Sequence, residues 1–454
     1  MSRRSFLAGM AAASAGIGAS TLLGGCADGS QSNGGMAGSG GEGGEIGGDI
    51  TFYFGASSTG ETNSREAVVA AFEDKYPDIK VTTQIAGADP LQELLTAIAG
   101  GTPPDVMMAW ELSYLGIASR GGMLDLSSRI AADAALSEQL NTDGSPVLMG
   151  TFSGGDQQWA LPEQFAGIFL YYNRRLFEEA GITPPSADWT DVNWNWDAFI
   201  EAAQQLTKTS DGKITQYGFV DAWVPYLSAS VLAMGNGVDW FSPPISPTES
   251  NMDDPSFIAG WQFYADLANK YKVAPKPQDE GVAPAADLFV AGQAAMCLSG
   301  HWMYGTFAEA EDLDFDVAAL PVGPNGKAGK SDIGATGLAI AAASKNPDAA
   351  WEFVKFSCGP EGQEIIAKSG LFVPILKSVI ESEAFVSAHE QIENTSVFSG
   401  ALDNAAYLPI SPAWGKIEPL IVANASEVWQ GRETAADFAA RINPQIDELL
   451  ETEG

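Results

Sequence analysis

Between Ile50 and Ala109 short apolar runs alternate with amphipathic helical stretches, and this alternation constrains the fold more tightly than any other feature of the chain. Ile50 to Phe54 is an apolar run that opens into a Gly/Ser/Thr loop, Gly55 to Thr62. Asn63-x-x-Glu66 has the spacing of a capping box, and Val68, Val69, Phe72 and Tyr76 recur at the interval of one helical face. Ile79 to Ile85 alternates as a strand does. Asp89-Pro90 starts a second helix carrying Leu91, Leu94, Leu95 and Ile98, which Gly100-Gly101 stop, and Val106 to Ala109 is a further apolar run. Strands separated by whole helices cannot pair as hairpins. The crossovers lay them side by side in one direction, so the pattern predicts an α/β fold with an open, parallel sheet. In such sheets ligands lie beyond the carboxyl ends of the strands, which here are the loop after Phe54 and the loop starting at Trp110.

The stretch Gln157 to Ile182 governs how the remainder attaches. It passes from an extended run, Trp159 to Pro162, through the polar pair Glu163-Gln164, read as a turn, into a strand, Ile168 to Tyr172, and a helix that Gly181 ends. A polar break between two apolar runs is read as a crossing between two globular lobes. The polar loop Gly323 to Ser331, between the expected strands Phe315 to Pro321 and Ile333 to Ala342, is read as a second crossing. The rest is mostly helical. Asn195 caps a helix with Trp196, Phe199 and Leu206; Asp254-Pro255 starts one with Phe257, Trp261 and Tyr264; Asn346-Pro347 caps one with Trp351 and Phe353; and Glu433 to Leu450 forms a last helix. A chain of 454 residues suits two such lobes.

The N-terminus indicates a compartment. Ser2-Arg3-Arg4-Ser5-Phe6-Leu7 resembles a twin-arginine export signal, and the weakly apolar run that follows is too short to span a bilayer. Leu23-Gly24-Gly25-Cys26 resembles a lipobox, implying cleavage of residues 1–25 and a lipid on Cys26. Residues 26–48, rich in Gly and Ser, read as a flexible tether. The expected location is therefore outside the cell, on the membrane's outer face. Cys297 and Cys358 lie in apolar runs and are read as buried small hydrophobes rather than a disulfide.

The formal charge of −35 makes nucleic acid and anionic lipid headgroups poor partners. Catalytic patterns are sparse. His301 and His389 are the only histidines, too few for a histidine-rich metal site, and no G-x-S-x-G elbow occurs. Gly326-Lys327-Ala328-Gly329-Lys330-Ser331 has the end of a phosphate loop, but Pro324 stands where the first glycine belongs. Asp312, Asp314 and Asp316 alternate and are read as a solvated strand face. No catalytic residue, metal or cofactor is expected.

FEDKYPDIKVT, LLTAIAGGTPPDVMMAW, GGMLDLSS, WALPEQFAGIFLYYNRRLFEEAGI, NWDAFIEAAQQLT with ITQYGF, FVAGQAAMCLSGHW and GLAIAAASKNPDAAWEFVKF follow one another between Asp49 and about Lys377. In this order they resemble bacterial extracellular solute-binding protein family 1, the sugar ABC transporter group similar to maltose-binding protein. That resemblance implies a two-lobed periplasmic-binding-protein fold of type II, each lobe an open α/β sheet with flanking helices and the ligand cleft between them. The lobes implied are residues 49–163 plus 322–373 and residues 164–321 plus 374–454. It further implies a monomeric, carbohydrate-capturing partner of an ABC permease that does no chemistry. Two other readings stay open: a secreted lipoprotein enzyme acting on glycans, and a binder of a non-sugar solute such as a polyamine.

A sugar offers apolar CH faces and a ring of hydroxyls, so its site needs aromatic planes beside polar side chains. Trp302, in Ser299-Gly300-His301-Trp302, and Trp414, after Leu408-Pro409-Ile410-Ser411-Pro412-Ala413, match the family's stacking positions. Trp223 and Tyr226, with Asp221, stand in DAWVPYLSAS. Trp110 and Glu111 lie at the expected carboxyl edge of the first sheet, Ser57 and Ser58 after its first strand, Gln164 at the crossing, and Thr336 in Gly334-Ala335-Thr336-Gly337. Trp196, Trp261 and Trp351 sit on apolar helix faces and are assigned to the core.

Overall fold

The computed structural model describes residues 46–56, 58–277 and 282–453; the expected leader, the tether, Cys26 and Ser57 lie outside the described residues. Two five-stranded sheets organise the described chain. In the first, Gly48–Phe54 pairs in parallel with Ile79–Ile85 on one side and Val106–Trp110 on the other. Ala335–Ile340 then lies antiparallel between Val106–Trp110 and Ala160–Phe165. In the second, Ile168–Asn173 is antiparallel to both Phe315–Ala318 and Ala294–Gly300, the latter is parallel to Lys213–Asp221, and Lys208–Ser210 forms the edge. The expectation of a parallel sheet therefore fails at one strand: Ala335–Ile340 runs against the other four, because it arrives from the other half of the molecule rather than by helical crossover.

The helix Thr59–Lys75 turns Val68, Val69 and Phe72 inward. Phe72 meets Phe353 of the helix Pro347–Cys358 edge-on at 5.1 Å, and Phe353 meets Phe52 of the first strand at the same separation. Each such ring, fully buried, is worth about 1.5–3 kcal/mol. Ser58 is the N-cap of Thr59–Lys75 and accepts from the Glu61 amide at 3.1 Å, so the cap is Ser58 and Asn63 lies inside the helix. Asp89, Asn195 and Asp254 cap their helices as expected. Asn346 does not, because its side-chain amide donates to the Asp49 carbonyl at 2.8 Å.

Glu163 and Gln164 are strand residues, in Ala160–Phe165, and the turn between the sheets is Ala166-Gly167. Gly167 has φ +57°, and a Cβ there would meet the Phe165 and Phe169 rings at 2.6 and 2.8 Å, so the turn requires glycine. The loop Gly323 to Lys330 is not the return crossing. Gly323 and Gly329 donate to the carbonyls of Gly235 and Trp189, on the side of the second sheet, and the return to the first sheet comes at Ile333-Gly334. There Gly334 accepts from the Ala166 amide at 2.8 Å, so outward and return passes run side by side. Val373 pairs with Phe165 through an isolated antiparallel bridge at the same crossing.

Asp316 corrects another expectation. It is buried, accepting from the amide of Val317 at 2.9 Å and from Asn394 Nδ2 at 2.9 Å, because the segment before Thr395 covers that edge of the sheet; Asp314 pairs with Arg174 outside. Cys297 and Cys358 are buried and unpaired. Trp196, Trp261 and Trp351 are buried as assigned.

Helices Pro225–Met234 and Pro255–Asn269 touch at Gly260, where a Cβ would come within 2.3 Å of the Ala233 Cα. Gly260→Ala is expected to lower stability by about 1–3 kcal/mol through overpacking, read as a lower urea midpoint at unchanged m-value.

Candidate functional site

A cavity of ≈ 420 Å³ lies between the carboxyl edges of the two sheets. Each sheet contributes a tryptophan. Trp110 ends the strand Val106–Trp110, and its ring lies over Gly55, where a Cβ would meet it at 2.9 Å. Trp302 follows Ala294–Gly300, and its ring folds back over Gly300, where a Cβ would overlap it at 2.1 Å. Glycine at 55 and 300 is thus what lets two large planes lie flat against backbone. Trp302 is 45% exposed, the only tryptophan among the large exposed hydrophobics of the described residues. Trp223 stands beside it, ring centroids 6.4 Å apart and tilted 52°.

The floor is polar. Gln164 and Thr336 are opposite one another in the strand register, and both line the cavity. Beneath them Arg65, 3% exposed on its helix, forms an ion pair with Glu163, 2% exposed, and donates to Gln164 Oε1 at 3.0 Å. The Arg65 guanidinium is flanked by the rings of Phe54 and Phe372, each 5.5 Å away. Thr336 Oγ1, Arg65 Nε and Glu163 Oε2 are buried without a hydrogen-bond partner. Arg65, Leu371 and Phe372 are wall residues that the sequence reading missed. For Arg65 a signal existed, since it precedes Val68, Val69 and Phe72 by three, four and seven residues and so shares their inward face.

Glu111 begins the loop after Trp110, and its carboxyl is pushed up to about 7 by burial. Asp332, at the return crossing, is pushed well above the usual carboxylate range by burial and by the charge of Glu111, and its Oδ1 has no partner. Burial shifts both carboxyls toward the protonated form, which donates as well as accepts; neither lines the cavity.

Other expected contacts fall elsewhere. Trp414 and Tyr226 are each 4% exposed and do not line the cavity. Both pack edge-on against Trp240, and the Tyr226 hydroxyl donates to Glu418 at 2.6 Å. The apolar helix starts that carry them turn into the lobe rather than toward the cleft. Asp221 is spent internally, accepting from the Tyr264 hydroxyl at 2.5 Å and the Trp223 amide at 2.9 Å. With Trp223 it lines a separate cavity of ≈ 370 Å³ in the second lobe. Ser58 is engaged as the helix cap. Among the described residues no group of three or more His, Cys, Asp and Glu side chains is gathered to hold a metal ion.

The sequence model of the bacterial extracellular solute-binding proteins matches residues 55–364. The chain belongs to that family. It is 25% identical to the maltotriose-binding protein of Pyrococcus abyssi over 390 residues, covering 82% of this chain and 76% of that one. It is 24% identical to the diacetylchitobiose binding protein of Streptomyces coelicolor over 366 residues, covering 79% and 80%. Among solved structures it is similar to an ABC substrate-binding protein from Listeria monocytogenes in complex with cycloalternan, with TM-score 0.73 and 24% identity over 89% of this chain and 99% of that one. The sugar-binding protein MalE from Xanthomonas citri gives TM-score 0.76 and 20% identity over 89% and 100%. The fold is thus the two-lobed one of these solute-binding proteins.

In this family member the only two histidines lie together behind Trp302. His301 Nε2 and His389 Nε2 are 2.8 Å apart, and His389 Nδ1 is 2.7 Å from the Phe385 carbonyl. A carbonyl only accepts, so His389 carries its proton on Nδ1 and His301 donates from Nε2. Burial lowers His389 to about 4, and burial together with the neighbouring imidazole holds His301 well below its usual range. The unfolded chain protonates both near pH 6.5 and the folded chain does not, so their contribution is present above pH 6.5 and lost as pH falls toward 4. His389→Phe lacks that loss. The stability advantage of wild type over this variant, from urea unfolding, should shrink by about 2 kcal/mol between pH 7.5 and 5, at about 1.4 kcal/mol per unit below 6.5.

Proposed function

We propose that the protein captures a carbohydrate in the cavity between its lobes and hands it to the permease of an ABC importer, doing no chemistry on it. One observation carries this reading: Trp110 and Trp302, one from each sheet, face a single cavity whose floor is polar. Aromatic planes suit the CH faces of a pyranose, and the polar floor at Gln164 and Thr336 suits its hydroxyls. The names of the relatives, among them binders of maltotriose and of diacetylchitobiose, support the same ligand class.

Because the two tryptophans belong to different sheets, a ligand that touches both favours the closed arrangement, and its affinity is spent partly on closure. Trp302 is the principal stacking residue, with Trp223 extending its face. Export and a lipid on Cys26 keep the monomer near the membrane that holds the permease.

An enzyme acting on glycans would release products from a glycan panel; a binder raises the melting temperature with a ligand that is recovered intact. For any sugar that does so, Trp302→Ala should weaken binding at least tenfold, about 1.4 kcal/mol, by calorimetry, and unchanged affinity would take Trp302 out of the site. Cys26→Ala should move the protein from the membrane fraction to the soluble one; retention on membranes would exclude the anchor.

A further inference from the structure

We propose that Arg65 sets the hydrogen-bonding polarity of the cleft floor: it holds Gln164 by its oxygen, so the amide N–H groups face the ligand and whatever binds there must offer an acceptor oxygen. The proposal rests on the cavity between the lobes being the carbohydrate site.

Which way a glutamine amide points is ordinarily ambiguous, because its oxygen and nitrogen have the same shape. Here the neighbour removes the ambiguity. Arginine has donors only, so the atom 3.0 Å from the Arg65 guanidinium must be Gln164 Oε1. The Arg65 end of the contact is not free to turn, since the same guanidinium is tied to Glu163 and lies between the rings of Phe54 and Phe372. With Oε1 engaged, the rest of the Gln164 amide is Nε2, a donor of two hydrogens and an acceptor of none.

Its neighbours reinforce this polarity. Arg65 Nε is a buried donor without a partner. Thr336 Oγ1, opposite Gln164 in the register, is likewise buried and without a partner. Three elements, the helix Thr59–Lys75 and the strands Ala160–Phe165 and Ala335–Ile340, thus bring N–H and O–H groups to one place.

A neutral hydroxyl satisfies such a floor through its lone pairs. An ammonium group has none and would also approach a guanidinium, so the floor favours hydroxyl-bearing solutes over polyamines even though Glu61 stands elsewhere on the cavity wall. Arg65 is a positioning residue, acting through Gln164.

Two measurements on the chain test this independently. In the ligand-free protein, labelled with 15N, the Gln164 side-chain amide, assigned by its loss in Gln164→Glu, should be as rigid as the backbone by heteronuclear NOE. In Arg65→Lys, which keeps the charge beside Glu163 but loses the planar fork, that amide should become mobile while circular dichroism is unchanged. Equal order in both proteins would overturn the positioning role, as would a mobile amide in wild type.

The second measurement is calorimetric titration with maltotriose, N,N′-diacetylchitobiose and spermidine. For a sugar that binds wild type, Gln164→Glu, which keeps size but has no N–H, and Arg65→Lys should each weaken binding at least tenfold. Spermidine should not bind. A sugar that binds Gln164→Glu as tightly as wild type would overturn the polarity and leave the carbohydrate reading intact. Failure of every sugar on wild type, with the NMR result as expected, would overturn the carbohydrate reading and leave Arg65 as the residue that holds Gln164. Tight spermidine binding would overturn the floor's selectivity.

Discussion

The interaction on which the architecture depends is the ladder that Ala335–Ile340 makes with both its neighbours. This strand enters the first sheet between Val106–Trp110, laid down before the chain leaves for the second sheet, and Ala160–Phe165, the strand by which it leaves. Backbone groups this deeply buried must be paired, so the register is not negotiable. Fixing it places Thr336 opposite Gln164 and brings Gly334 beside Ala166. The floor of the cavity and the crossing between lobes are therefore consequences of one pairing.

Against that rigid frame, the ion pair of Arg65 with Glu163 is an unusual thing to bury. Taking both charges from water costs several kcal/mol each, and the attraction recovers this only with good geometry and further hydrogen bonds. The pair therefore contributes little net stability, while removal of one partner would strand the other. Its placement makes more sense as orientation. Charge held between two aromatic faces sits at the meeting point of helix, crossing strand and return segment and is bonded to Gln164, which lines the cavity. The neutral pair His301–His389, just behind Trp302, is a second polar contact in an apolar setting, and it too joins segments far apart in sequence.

Much of the fold could be read from the chain. The first three strands and their helices followed from apolar spacing, and the caps at Asp89, Asn195 and Asp254 followed from side chains whose only available partners are the amides just ahead. Asn346 shows where that logic ends: its amide found the Asp49 carbonyl, 297 positions away, and no local rule contains that alternative. Of the expected contacts, Trp110, Trp302, Gln164 and Thr336 were traceable to strand ends and the crossing, positions that topology brings to the cleft. Trp414 and Tyr226 were not distinguishable from them by type, because an aromatic at a helix start can face either way, and Trp240 decided the matter.

Local chemistry, then, was enough for most element types and for the strand ends that face the cleft, since these depend on periodicity and on what a few neighbouring residues can bond. Only the folded chain decided that Asp316 is buried, that the return crossing lies at Gly334 rather than Gly323, and that Arg65 stands under Gln164. Each of those depends on contacts between segments separated by dozens to hundreds of residues, and the free energy of such a contact is set by the surroundings that packing creates rather than by the residues that flank it in the chain.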